Sequence, residues 1–370
     1  MCRTRQWVWT VFVMAGVLLG AYRVHGYYQA ILRLPPEKPP PPATPVLPGP
    51  LAVAYSPDGR FVLTLDQTGE VRRWEARTGQ WVGSFSASPA AWPVIAGGFD
   101  ATGRRVVTID ARHQIAIFTT KGRLLREWRA STSPKKRSQP LAVAISAGGR
   151  WLAHTVAGRL EVWDLARQQR RWLGPIVPRQ PHQLAISRAG LTLLGLRSGA
   201  VLFDPARGGR IGRIPGRRWQ GPPRVAFSRS GDRFVLLAAL PTGENQLCVG
   251  TSDGRSLRRS LVGAGRWPGI ALSADGHLVA TGVSVQCRAM KEGLIPEPVL
   301  TTRDVPAVWL TSTLRPRTSR LPAGARGHLH SILALAWSPD ARSLATVGDD
   351  GRIYLWDPES GERLRELIPR

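Results

Sequence analysis

Lysine and asparagine are almost missing from this chain. Five lysines stand against 46 arginines, and Asn245 is the sole asparagine among 370 residues. GC-rich coding produces such a skew, so the formal charge of +26 is discounted before it is read as a sign of function. Whatever its origin, that charge draws polyanions to the surface. Cysteine is scarce too: Cys2, Cys248 and Cys287 show no CxxC spacing. Cys2 lies in the N-terminal segment, so only Cys248 and Cys287 could pair, and two free buried thiols are read in preference to a disulfide. Ligand spacing is absent around His25, His113, His154, His182 and His277. His328 and His330 form an H-x-H pair, which puts two imidazoles on one side of a strand, but a metal needs more ligands than that. No metal and no cofactor is therefore expected. Apolar residues are not lacking: 43% hydrophobic content and 14 tryptophans exclude disorder for most of the chain.

The long uncharged run is WVWTVFVMAGVLLGAY (7–22), preceded by Arg3 and Arg5. It is slightly short of the ~20 residues a spanning helix prefers, and longer than most signal-peptide cores. Tyr27 and Tyr28 follow, of the aromatic type that suits a membrane interface. Residues 1–28 thus read as a signal anchor containing one transmembrane helix; the alternative is a signal cleaved near Ala21 or Gly26 and a secreted product. Arg3 and Arg5 place the remainder on the non-cytoplasmic side, periplasmic in a bacterium, although Arg23 and Arg33 oppose that orientation. Residues 29–50 form a proline-rich linker. Its segment PPEKPPPPATPVLPGP (35–50) cannot build helix or sheet, because proline fixes φ and lacks an N–H, and should be a polyproline stalk of about 3 Å per residue.

Beyond residue 50 the chain repeats itself. LAVAYSPDGRFVLTLDQTGEVRRWE (51–75), LAVAISAGGRWLAHTVAGRLEVWD (141–164) and ILALAWSPDARSLATVGDDGRIYLWD (332–357) each read as strand, turn, strand, turn and a strand ending in tryptophan and an acid. The residue opening the first turn recurs at Ser56, Asp100, Ser146, Ser187, Ser228, Ser273 and Ser338. A period of ~40–45 residues with four short strands means propeller blades, which bury their faces only by stacking on neighbours until a ring closes. The longer last interval carries an insertion, QCRAMKEGLIPEPVLTTRD (286–304), expected as a surface loop.

GHLHSILALAWSPDARSLATVGDDGRIYLWD (327–357) resembles the WD-repeat family almost residue for residue. The resemblance implies an all-β fold, a seven-bladed β-propeller over 51–370. It also implies a hydrogen-bonded tetrad in the last blade: His328, the hydroxyl of Thr346, Asp350 and the indole of Trp356. In the first blade Thr64 and Trp74 match, but Thr68 stands where the acid belongs. Phe118 and Phe203 replace tryptophan in the second and fourth.

Catalytic patterns do not hold up. GTSDG (250–254) matches a nucleophile elbow, but a strand-like segment follows where a helix is needed, so Ser252 is a turn residue. GAGRWPG (263–269) puts Pro268 where a dinucleotide loop needs glycine. The loops crossing from one blade to the next carry more: they share one face of the disc and hold Trp92, Lys135, Lys136, Arg137, Arg179, Arg217, Arg218, Trp219, Arg266 and Trp267. These residues are expected to form a basic, aromatic docking face on a monomeric propeller, or else to wedge between blades and meet solvent singly. The leading expectation is a membrane-tethered, non-catalytic scaffold for a protein partner, possibly acidic. Binding of nucleic acid, phospholipid or acidic glycan is the alternative, suggested by the net +22 over 51–370, and an enzyme sited in the channel is the third reading.

Overall fold

The computed structural model describes residues 49–88, 92–112, 114–129, 142–156, 159–175, 183–196, 198–216, 219–253, 255–264, 269–291, 297–317, 327–329 and 331–368. Residues 1–28, expected as a membrane anchor, and most of the proline-rich segment 29–50 lie outside them. Among the described residues there are 27 strands and no helix, arranged in seven antiparallel sheets. Six sheets have four strands in sequence order: 50–86, 94–129, 143–175, 183–215, 224–264 and 332–367. The sixth blade has three, Ile270–Leu272, Leu278–Lys291 and Glu297–Leu310. After Leu310 its chain doubles back, with Trp309 bridged to Pro316 and the Arg317 N–H donating to the Val308 carbonyl at 2.8 Å.

One chemical device repeats in every blade. The side-chain oxygen of the turn-opening residue accepts the N–H of the residue at or just before the start of the second strand: Ser56 from Phe61 at 2.9 Å, Ser146 from Trp151 at 3.0 Å, Ser273 from Leu278 at 2.9 Å. Asp100 does the same with a carboxylate oxygen. The fourth turn residue must adopt a left-handed conformation, which only glycine reaches without strain. Glycine occupies that place in six blades, whereas Ala341 takes φ +57° in the seventh.

The core lies at the junctions between blades. Leu65, Val71, Val106 and Phe118 pack blade one on blade two, and Trp151, Leu160, Leu194 and Val201 pack three on four. The ring closes the same way: Val53, Tyr55 and Trp74 of the first blade pack on Ala345, Ile353 and Leu367 of the last. The Tyr55 hydroxyl meets Ser343 Oγ at 2.9 Å, and Arg365 donates to the Thr78 carbonyl at 3.1 Å. Desolvation at this seam pushes the Tyr55 phenol up to about 12.

The insertion is not a loop. Residues 286–291 and 297–304 lengthen two strands to 14 residues each, paired without a break from Leu278↔Leu310 to Lys291↔Glu297. Pairing satisfies backbone groups that a loop would leave to water, and Val299, Leu300, Thr301 and Thr302 are of types that suit a pleated strand.

In the last blade the four tetrad side chains make one chain of hydrogen bonds. His328 Nδ1 lies 2.9 Å from Asp350 Oδ1, His328 Nε2 lies 2.7 Å from Thr346 Oγ1, and the Trp356 indole donates to Thr346 Oγ1 at 2.8 Å. Asp350 also accepts the Leu329 N–H at 2.9 Å. Burial pushes the Asp350 carboxyl up, but the His328 contact and two backbone donors outweigh it and hold the group below the usual range.

Blade one carries two of these side chains and not the chain. Thr64 Oγ1 and Trp74 Nε1 are both buried without a hydrogen-bond partner. Its acid is Asp66, two residues before the expected place, where it accepts from the Thr68 N–H and hydroxyl and pairs with Arg72. The same substitution should therefore act differently in the two blades. Thr346→Val leaves His328 Nε2 and the Trp356 indole N–H unpaired and is expected to cost about 2 kcal/mol, whereas Thr64→Val removes an unsatisfied hydroxyl and should be neutral or stabilising by up to about 1 kcal/mol. Thermal unfolding of both variants checks this, and equal losses would overturn it.

Candidate functional site

The crossing-loop face comes first, because the sequence points there. Lys135, Lys136, Arg137, Arg179, Arg217, Arg218, Arg266 and Trp267 lie outside the described residues. Of the two that are described, Trp92 fits a docking surface. It sits between the outer strand Trp81–Ser86 and the inner strand Val94–Phe99, and is 37% exposed. The Arg112 guanidinium stacks over its ring at 4.0 Å. Arg112 comes from the turn between the second and third strands of blade two, so that turn and the crossing loop share one face. A guanidinium over an indole keeps both groups in a fixed posture while leaving donors free.

Trp219 is a correction. It is 7% exposed and packs with Ile214, Phe234 and Leu236 between blades four and five. Its indole N–H donates to Gln246 Oε1 at 3.2 Å. The ring lies so close over Gly216 that a Cβ there would come within 2.3 Å of it. Trp219 is a wedge between blades, and it offers no indole to a partner.

The central channel is the second candidate. The first strands of all seven blades surround a cavity of about 400 Å³. Near the axis the blades converge, so one side of each inner strand must be small: Ala54, Gly98, Ala144, Ala185, Ala226, Ala271 and Ala336 share one register position. The cationic lining comes from blades four and five, as Arg188, Arg224 and Arg229, with Gln183 beside them; Tyr55, Thr102, Ser228 and Ser338 add hydroxyls from around the ring. Asp100 is its one acidic lining residue among those described. Both Asp100 oxygens are occupied, by the Arg104 and Arg105 N–H groups and by Thr102 and Gly148. Gln183 and Arg224 were not singled out in the sequence; the signal that could have found them is their departure from small residues at one place in the repeat.

Elsewhere, chemistry is sparse. Ser252 lies in the turn between the third and outer strands of blade five. Among the described residues no three histidine, cysteine or acidic side chains gather where they could hold a metal ion. Cys248 is a free thiol, buried, and pushed by that burial up to about 11, too high for a reactive thiolate. In blade three His154 and Glu161 meet inside the sheet, Nε2 to Oε2 3.5 Å, with both side chains buried.

Comparison with known proteins bears on the last blade and on the whole ring separately. Residues 321–357 match the family described as "WD domain, G-beta repeat". Short stretches resemble Coronin-7 of Rattus norvegicus (54% identical over 35 residues) and of Homo sapiens (52% over 42 residues), and the periodic tryptophan protein 2 homolog of Mus musculus (47% over 36). These cover 10–11% of this chain and 4% of the relatives' own length. The ring as a whole superposes on Kuenenia stuttgartiensis hydrazine synthase with a TM-score of 0.60 over 87% of this chain and 99% of that one. At 14% identity this shows shared architecture alone. The chain is thus a seven-bladed β-propeller whose last blade matches the WD-repeat family.

Proposed function

We propose that the chain is a non-catalytic interaction scaffold that docks a protein partner on its crossing-loop face, tethered to a membrane by residues 7–22 with the propeller on the non-cytoplasmic side. The Trp92–Arg112 stack carries this reading, because it places an exposed indole and a cation together on that face. Aromatic and arginine anchors of this kind dominate protein interfaces. The basic residues assigned to the neighbouring crossings, Lys135, Lys136, Arg137, Arg179, Arg217, Arg218 and Arg266, would extend the surface around the disc and suit an acidic partner. Attraction of a polyanion to the same face is the second reading, favoured by the net charge of the propeller.

The two readings separate in a pull-down with the full-length chain at low and high salt, beside a variant carrying Trp92→Ala, Arg112→Ala, Arg217→Ala and Arg218→Ala. A docking scaffold retains one protein at high salt, and the variant loses it by about 30-fold or more, the effect of removing a hot spot. Material that is polyanionic, vanishes with salt and ignores the substitutions would defeat the scaffold reading.

A further inference from the structure

The register of the inner strands isolates one side chain in the channel wall. Four residues before the turn-opening residue, the blades carry Ala52, Ala96, Ala142, Gln183, Arg224, Gly269 and Ala334. The pairings Ala52↔Leu65, Ala96↔Ile109, Gln183↔Gly195, Arg224↔Leu237 and Ala334↔Val347 confirm that these are structurally equivalent places. The fold asks for a small residue there and blade five supplies an arginine. Its Nε is sealed from solvent without a hydrogen-bond partner, while the side chain as a whole keeps partial access through the cavity it lines. Burial pushes its guanidinium below the ordinary arginine range. A desolvated cation without a counter-charge costs free energy, and packing does not require this one.

A second position shows the same bias. Directly after the turn-opening residue stand Pro57, Ala101, Ala147, Ala274 and Pro339, but blades four and five carry Arg188 and Arg229. Both line the same cavity as Arg224, and both also line an adjoining hollow of about 280 Å³. No carboxylate of a described residue lies within ion-pair distance of any of the three. Both Asp100 oxygens are already taken, by its own turn and by the Gly148 N–H of blade three. One wall of the channel therefore carries three unmatched positive charges at two levels, at the two ends of a short inner strand such as Arg224–Phe227.

We propose that the channel is a binding site for a small molecule carrying phosphoryl groups at two or more points, held along the wall of blades four and five by Arg224 on one level and by Arg188 and Arg229 on the other. Guanidinium groups fit phosphate oxygens in pairs, Gln183 offers a further donor, and a cavity of about 400 Å³ lies in the range of small-molecule sites. The proposal is independent of the crossing-loop face, since Arg188 and Arg229 lie at the opposite ends of the inner strands.

Arg224→Ala is an unusual test, because it installs the residue that four other blades already carry. The unliganded full-length variant, purified in detergent, should melt at or slightly above the wild-type temperature. Tripolyphosphate, titrated calorimetrically at physiological salt, should bind the wild type about ten-fold or more tighter than inorganic phosphate and raise its melting temperature. Arg224→Ala and the double variant Arg188→Ala with Arg229→Ala should each weaken that binding by about ten-fold. Arg255→Ala removes the same charge from an exposed turn and should change it less than about two-fold. Absence of tripolyphosphate binding at millimolar concentration, an equal loss in Arg255→Ala, or a lower melting temperature for Arg224→Ala would each overturn the proposal.

Discussion

Replacing His328 with alanine should lower the melting temperature by about 10 °C, corresponding to about 4 kcal/mol for a chain of this size. The imidazole is fully buried and uses both nitrogens, one on Asp350 and one on Thr346. Without it Asp350 keeps its charge in a buried place with only backbone donors, and Thr346 keeps a single partner, Trp356. Removing one member of a satisfied network costs more than the bond itself, because the partners stay desolvated. The ring is also packed, 4.4 Å from Tyr354, and Tyr354 stands edge-on to Trp356, so truncation leaves a cavity as well. Differential scanning calorimetry beside the exposed-site variant Leu329→Ala separates this from a general effect. A shift in His328→Ala no larger than that of Leu329→Ala would show that the network contributes little.

Mild acid should weaken the fold through His154. Its side chain is enclosed in blade three, and desolvation depresses its pKa from 6.5 to about 4. The unfolded chain therefore binds a proton that the folded chain refuses. Stability is full above pH 6.5 and falls as pH drops from there toward 4, by at most about 3 kcal/mol. Glu161 at 3.5 Å draws the other way by favouring the charged imidazole, which is why that figure is an upper bound. Asp350 acts in a separate window: its carboxyl is held low in the fold, so its contribution is present above the ordinary carboxylate pKa of 3.8 and is lost only as pH falls through the depressed value. Urea unfolding at pH 7 and pH 4.5 should show a marked loss for the wild type and a smaller one for His154→Gln. Identical losses would place the acid sensitivity elsewhere.

The ring was legible because its repeat has a local chemical cause. Ser56 and its counterparts are spaced by the period of the blade, and each closes its own turn with a hydrogen bond four or five residues on. The last blade was legible for the same reason, since all four tetrad side chains fall within 29 residues of one another. Trp219 was not. A tryptophan between glycine and proline reads as a loop residue, and its partner Gln246 lies 27 residues away in the next blade. The insertion misled because its glycine and prolines suggest a loop, whereas long-range pairing of Gln286 with Thr302 and Met290 with Pro298 decides its form. Blade one was half legible: Thr64 and Trp74 stand where the repeat places them, but only the structure shows that Asp66 has turned to Arg72 and left both without partners. Arg224 was missed: it is an exception to the repeat's small residues, but its meaning depends on the burial that the ring imposes.

The seam between the last and first blades has a topological consequence. Each blade there is built from consecutive strands of its own, and among the described residues no strand is shared across the junction. The join is made by face packing and by side-chain bonds such as Tyr55–Ser343, the same kind of contact found at the other junctions. Blade order is therefore cyclic rather than linear. A circularly permuted chain, opened at another crossing and joined across this one, would describe the same ring, so nothing in the blade contacts marks blade one as the first.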